Sequence, residues 1–335
     1  MPKALISILV PFKNTERFLD DCLQSILNQS CVNWELLAVN DGSTDESHKI
    51  VQNYADKDSR VQLLHNEGQG IIAALRTAYK HAKGTYITRM DSDDIMAVDK
   101  LELMQKSLVE HGEGHLALGH VKYFSENGVG AGYKRYETWL NSLTTKGNNF
   151  EEIYKECVIP SPCWMVHKTD FDRCGGFTSD SYPEDYDLAF RFYKQGLSCI
   201  PSNDVRHHWR DYAIRTSRTD AHYAENTFLE LKVNYFLELS KVNEKKLVIW
   251  GAGKKGKKVA QLLLEKKCPF EWVCDNPKKI GVNIYNQTLK AIEYLNTIKN
   301  FQTIITVANH DAQMEIVQYF KTRKMTSMND YFFFC

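Results

Sequence analysis

Short apolar runs alternate with segments of helical spacing over the first 90 residues, and this alternation constrains the fold more than any other feature. Leu5–Pro11 is an apolar run broken only by Ser7 and ends in proline, the pattern of a strand covered on both faces of a parallel sheet. Arg17–Asn28 follows, with Phe18, Leu19, Cys22, Leu23, Ile26 and Leu27 on one helical stripe. Trp34–Val39 reads as a second strand. It stops at Asn40-Asp41-Gly42-Ser43-Thr44-Asp45-Glu46, where Ser43 and Glu46 are spaced as a capping box for the next helix. Arg60–His65 is a third strand, Gly70–His81 a helix, and Thr85–Met90 a fourth strand running into Asp91-Ser92-Asp93-Asp94. Strands and helices in this order predict a mostly parallel α/β sheet that binds its ligands at the carboxyl ends of the strands.

Beyond this stretch the pattern weakens and then restarts. Residues 112–150 hold seven glycines and several aromatics and read as strand and loop. Tyr182–Gly196 is expected as a helix opened by Pro183-Glu184-Asp185, and Thr227–Ser240 as another. The charged break Lys241–Lys246 then precedes a second alternation: strand Leu247–Trp250, a glycine turn, a helix to Lys266, strand Phe270–Cys274, a helix near Thr288–Ile298, strand Thr303–Val307 and helix Ala312–Phe320. The expected organisation is a domain over 1–225, a helical linker over 226–243, and a smaller α/β domain over 244–335.

Charge distribution separates these parts. Lys plus Arg and Asp plus Glu each number 42, so no global charge argues for nucleic acid. From Glu244 onward, however, 15 basic residues face 8 acidic ones, and the rest of the chain is acidic by the same margin. An acidic first part suits cations; a basic second part suits anions. Nine scattered cysteines without C-x-x-C spacing are expected as free thiols in a reducing cytosol. No apolar stretch approaches the roughly 20 residues of a membrane span, and the start of the chain is a poor signal peptide. The expected location is cytoplasmic, extending to peripheral association at the inner face of the membrane.

Two acidic clusters end strands of the first sheet, Asn40-Asp41 and Asp91-Ser92-Asp93-Asp94. Taken singly, each is an ordinary turn or helix cap. In a parallel sheet both fall on one edge, where converging carboxylates repel unless a cation lies between them. In this setting five segments together resemble glycosyltransferase family 2, inverting enzymes of the GT-A fold. They are Ser7–Asn14, Val39–Asp45, Arg89–Asp94, Gly175-Gly176-Phe177 and Glu184–Leu188. The resemblance implies a GT-A nucleotide-sugar domain followed by a smaller Rossmann-like extension. It implies a donor site at Pro11, Phe12, Asn14, Asp41, Asp91 and Ser92, with Asp93 binding Mn²⁺ or Mg²⁺ across the two phosphates. Asp185, beside Glu184 at a helix start, is the candidate general base for the acceptor hydroxyl; Asp187 is its rival. His208 and Arg210, with Arg215 and Arg218 downstream, resemble the segment that closes over the diphosphate in related enzymes. Two departures stand out: Asn40 where many relatives have Asp, and Ala74-Leu75-Arg76 after the third strand, where the usual arginine is missing or displaced by one position.

The second unit carries Gly251, Gly253 and Gly256 in G-x-G-x-x-G spacing between a strand and a helix, with Asp275 24 residues after Gly251. That context admits an anion or nucleotide site, or a packing or oligomerisation module. The partners expected are therefore a nucleotide-sugar, most often a UDP-sugar, a glycan or lipid-linked acceptor, and a second copy of the chain through its C-terminal domain. Two other functions fit parts of the pattern. A nucleotidyltransferase shares the acidic pair, but the first strand here leads to Pro11-Phe12-Lys13-Asn14 and not to the glycine-rich phosphate loop such an enzyme uses, and a nucleotide-sensing scaffold would rest on the second unit alone.

Overall fold

The structure, a computed structural model, describes residues 4–215, 218 and 228–335. The expected boundary between residues 225 and 226, and Thr227 at the start of a predicted helix, lie outside the described residues. The chain divides into two compact units, Met1–Asn149 with Val158–Thr219, and Phe150–Cys157 with Asp220–Cys335.

The first unit opens as the alternation predicts: β1 (Ile6–Phe12), α1 (Glu16–Leu27), β2 (Trp34–Asn40), α2 (Ser47–Ala55), β3 (Val61–His65), α3 (Gly70–His81) and β4 (Tyr86–Arg89). Then come β5 (Ile95–Met96), α4 (Lys100–His111), β6 (His115–Leu118), β7 (His120–Phe124), α5 (Ala131–Lys146), β8 (Trp164–His167), α6 (Lys168–Arg173), α7 (Glu184–Lys194), β9 (Ser198–Ile200) and β10 (Val205–Arg210). The main sheet has seven strands in the order β3-β2-β1-β4-β8-β6-β9. All run one way except β8, which is antiparallel to both neighbours. Every residue of β1 and β2 is buried, as strands covered by helices on both faces require. Their side chains, with Leu19, Leu23 and Ile26 of α1 and Leu101, Met104 and Leu108 of α4, form the main core. A second sheet, β5-β10-β7, lies within the same unit.

Two local expectations are corrected. Ser43 and Glu46 do not form a capping box. The Ser43 hydroxyl accepts from the Asn14 amide at 3.1 Å, the Glu46 amide donates to the Glu16 carboxylate at 2.8 Å, and α2 begins at Ser47. The 112–150 region is not only strand and loop, because α5 runs sixteen residues inside it.

The second unit comprises α8 (Leu229–Leu239), β11 (Lys246–Trp250), α9 (Lys254–Glu265), β12 (Glu271–Val273), the hairpin β13 (Asn283–Ile284) and β14 (Gln287–Thr288), β15 (Phe301–Ile305), α10 (His310–Thr322) and β16 (Tyr331–Phe333). A parallel four-stranded sheet runs β12-β11-β15-β16. The helix expected near Thr288–Ile298 is only a short 3-10 turn over Ile292–Thr297. Helix α8, expected as a linker, groups with this unit, as does the excursion Phe150–Cys157. Tyr154 from that excursion is buried, stacked on Phe334 and edge-on to Phe236 and Phe332. Among the described residues no helix is long and apolar enough to cross a membrane.

Candidate functional site

The site is built at the carboxyl edge of β2, β1 and β4. Asn40 ends β2 opposite Phe12 at the end of β1, and the Asp41 amide donates to the Phe12 carbonyl at 3.0 Å. On the other side of β1, the Met90 amide donates to the Leu9 carbonyl, so the chain leaves β4 into Asp91–Asp94 on the same edge. Parallel register thus brings together two acidic segments about 50 residues apart in sequence.

Asp41 serves α3 as well as the edge. Its Oδ1 accepts from the Gly70 amide at 3.0 Å and from Asn66 Nδ2 at 2.6 Å, while Lys13 Nζ stands 3.5 Å from Oδ2. The first amide of the helix is thereby satisfied by a carboxylate from another strand end, and the helix dipole favours the negative charge. Pro11 lies within buried β1, and the Phe12 ring belongs to the core, leaving its backbone at the edge. Asn14 ties the two loops together: its Oδ1 accepts from the Thr44 amide at 2.8 Å.

The Asp91–Asp94 turn is held from three directions. Arg89 donates to Asp91 Oδ1 through Nη2 at 2.9 Å and to Glu184 Oε1 through Nη1 at 2.9 Å. Burial works to raise the Asp91 pKa, but Arg89 and then Arg215 outweigh it, and the carboxyl titrates below its usual range. Asp93 differs. Burial and the neighbouring Asp94 charge push its pKa up to about 6 against the pull of Arg215. Asp94 is fully buried and also raised, again by burial; it accepts from the Arg210 amide at 2.7 Å and pairs with His207 Nε2 at 2.9 Å. Burial, followed by Lys100, lowers the His207 pKa, so the ring is neutral. Ser92 is buried within the turn.

Helix α7 starts at Glu184, whose Oε1 anchors that start to Arg89. Asp185 lies next to it in the first helical turn and is partly buried. Its pKa is pushed up to about 7, first by burial and then by the Glu184 charge, with Arg89 opposing and Asp91 adding to the rise. Asp185 and Asp91 therefore share one electrostatic environment. Asp187 is committed elsewhere, accepting from Arg191 Nε at 2.8 Å; Arg191 in turn donates to the carbonyls of Cys174 and Gly176. Arg76 is likewise engaged, donating to the carbonyls of Phe177, Thr178 and Ser179 in the loop before α7.

Not every expected residue joins the cluster. On β10 adjacent side chains face opposite ways. His207 reaches Asp94, whereas His208 lies edge-on to Phe124, half-buried, its pKa lowered by burial. Arg210 lies between the rings of Phe18 and Phe124 and donates to the Asp93 carbonyl and to Asp21. Arg215, buried, stands 4.0 Å from both Asp93 and Asp94. Sequence reasoning missed Arg89 and Tyr212, whose hydroxyl donates to Asp93 Oδ2 at 2.9 Å. A basic residue inside the apolar β4 run was the available signal for Arg89.

Residues 7–175, just over half of the chain, match the family described as Glycosyl transferase family 2. The chain belongs to glycosyltransferase family 2. This family 2 chain is 37% identical over 122 residues to glycosyltransferase GlyA of Streptococcus pneumoniae serotype 4, covering 36% of this chain and 17% of that protein. It is 43% identical over 124 residues to an uncharacterized glycosyltransferase of Haemophilus influenzae, covering 37% of this chain and 48% of that one. The matches thus span less than half the length of these relatives. The GT-A fold is shared with S. aureus TarS 1-349 solved in complex with UDP-GlcNAc, at TM-score 0.53 and 19% identity over 77% of this chain and 71% of that one. It is also shared with the mannosyltransferase PcManGT from Pyrobaculum calidifontis, solved with GDP-Man and Mn²⁺, at TM-score 0.51 and 19% identity over 77% of this chain and 68% of the other.

In the second unit of this family 2 chain, the glycine turn follows β11 and Asp275 lies just beyond the adjacent β12, exposed. Gly251 has φ +116°, and its carbonyl accepts from Trp272 Nε1 at 2.8 Å. A Cβ on Gly256 would lie 2.2 Å from that carbonyl, whereas one on Gly253 would meet nothing within 4 Å. Two of the three glycines are thus accounted for by close packing of α9 against the sheet.

Proposed function

We propose that this chain is an inverting glycosyltransferase, assisted by a divalent cation, that moves a sugar from a nucleoside-diphosphate sugar to a hydroxyl of a glycan or lipid-linked acceptor. The observation that carries this reading is the Arg89 bridge, which couples Asp91 at the acid-lined sheet edge to the helix start that bears Asp185. A UDP-sugar is the first donor to test, since TarS is solved with UDP-GlcNAc; GDP-sugars come second, since PcManGT is solved with GDP-Man and Mn²⁺.

Among the described residues no three His, Cys, Asp or Glu side chains are grouped to cage a metal ion. The acidic turn nevertheless fits a cation that arrives with the donor. Mg²⁺-type ions are commonly held by one or two carboxylates plus substrate phosphates, and Asp93, its pKa raised first by burial and then by the Asp94 charge, is a carboxylate whose ionised form a cation would favour. Asp93 would hold the ion. When bound, it supplies neutralisation of the diphosphate leaving group.

The protein groups do the rest. Asp41, with Asn66 and Lys13 around it, receives the base, and Asp91 the ribose. Arg215, beside Asp93 and Asp94, is placed to meet the charge that grows on the diphosphate. The acceptor oxygen bonds to the anomeric carbon as the bond from that carbon to the phosphate oxygen breaks, and Asp185 takes the hydroxyl proton. Its raised pKa suits a base working near neutrality.

The test is nucleoside diphosphate release from a panel of UDP- and GDP-sugars with Mn²⁺ or Mg²⁺. Release by the wild type should vanish in Asp93→Ala and in Asp185→Asn, both still folded by melting curve. Full activity in both variants overturns the proposal.

A further inference from the structure

Asp93 is gripped at two points, by the last residue of β10 and by the segment that follows it. Arg210 Nε donates to its main-chain carbonyl at 2.8 Å, and the Tyr212 hydroxyl donates to Oδ2 at 2.9 Å. Tyr212 is itself built in. Its ring packs on Phe18 of α1 at 4.7 Å between centroids, and the same Phe18 ring carries the Arg210 guanidinium at 4.6 Å. The chain around it is closed as well: the Asp211 amide donates to the Phe124 carbonyl, and both Asp211 carboxylate oxygens accept from Arg218, at 2.9 and 2.8 Å.

The chemistry of the donor matters. A lysine or arginine hydrogen-bonded to Asp93 would offset more of the charge a cation needs than Arg215 does as an ion-pair neighbour at 4.0 Å from Oδ2. A phenol is a neutral donor. It fixes one carboxylate oxygen and leaves the negative charge in place, so Oδ1 remains to be presented to a hard cation. Removing such an outer partner of a metal-binding carboxylate typically costs 10–100-fold in metal affinity.

We infer that Tyr212 is a positioning residue that holds the Asp93 carboxylate in the orientation required for the donor's divalent cation, and that the Asp211–Arg218 clasp holds Tyr212 there. This deepens the proposed function and rests on it.

The test follows thermal stabilisation by UDP, and by GDP in a parallel arm, as Mn²⁺ is titrated into the full chain. Tyr212→Phe keeps the ring on Phe18 and removes only the hydroxyl. It should raise the half-saturating Mn²⁺ concentration about tenfold or more, while the metal-free melting temperature stays within about 2 °C of wild type. Asp211→Asn, which does not touch Asp93, should shift Mn²⁺ in the same direction by less, and decides the matter if Tyr212→Phe fails to fold. Unchanged Mn²⁺ half-saturation in the folded variants overturns the inference and leaves the proposed function standing. Absence of Mn²⁺-dependent stabilisation in the wild type with either nucleotide overturns both.

Discussion

Arg89 Nη1 lies 2.9 Å from Glu184 Oε1, joining the end of β4 to the start of α7 across 95 residues of sequence. Both side chains are buried, and Glu184 Oε2 has no hydrogen-bond partner. Breaking such a pair from one side leaves an uncompensated charge, which costs about 3–5 kcal/mol. Arg89→Met should therefore lower unfolding free energy by about that much in urea titrations, and adding Glu184→Leu should recover part of the loss. A single variant as stable as wild type would show that the pair does not hold α7.

Asp185 must be ionised to accept a proton, and its pKa stands at about 7. Turnover at saturating donor and fixed Mn²⁺ should therefore rise through that pH and level off above it. Asp185→Asn should lose at least about a hundredfold in kcat with little change in donor affinity. A wild-type profile that is flat between pH 6 and 8 counts against Asp185 as the base.

The raised pKa of Asp93 has a stability consequence of opposite sign to that of an ordinary salt-bridged carboxylate. The folded state binds this proton more tightly than the unfolded chain does, so the associated stability is present at low pH and lost as pH rises from about 4 to about 6. Asp93→Asn removes the charge. In chelator its unfolding free energy should exceed that of wild type at pH 7.5 by up to about 3 kcal/mol. The advantage should fade toward pH 4. An equal advantage at both pH values would place its cause elsewhere.

In the glycine turn of the second unit, Gly256→Ala forces a Cβ to 2.2 Å from the Gly251 carbonyl and 2.8 Å from Thr306 Oγ1. Overpacking against backbone costs about 1–3 kcal/mol or more. Gly253→Ala meets open space at a negative φ and should stay within about 0.5 kcal/mol of wild type. Differential scanning calorimetry separates the two, and equal losses would mean that the turn is not limited by packing.

The sheet edge was legible because β1 to β4 are short, largely apolar segments alternating with helical spacing, and register in a parallel sheet is fixed by burial. Asp41, Asp91 and Asp93 follow from that without any tertiary information. Helix α5 was not legible: Gly128, Gly130 and Gly132 crowd its start, and its core contact narrows to Leu140, Leu143 and Thr144. Strand alternation says that His207 and His208 face opposite ways, yet nothing local says which one meets Asp94. Arg89 stands out as a basic residue in a buried strand, but its pairing with Glu184 depends on which helix end closes over which strand.

The excursion Phe150–Cys157 belongs to the second unit but interrupts the sequence of the first, so the chain passes from one to the other three times. No single scission isolates the second unit complete and free of first-unit sequence. A fragment ending before α8 carries Tyr154 without Phe236, Phe332 and Phe334, and one starting at Glu244 lacks both Tyr154 and the Lys232 ammonium that donates to the Lys155 carbonyl. Dissecting this protein into working halves calls for circular permutation or grafting of that octapeptide, not truncation.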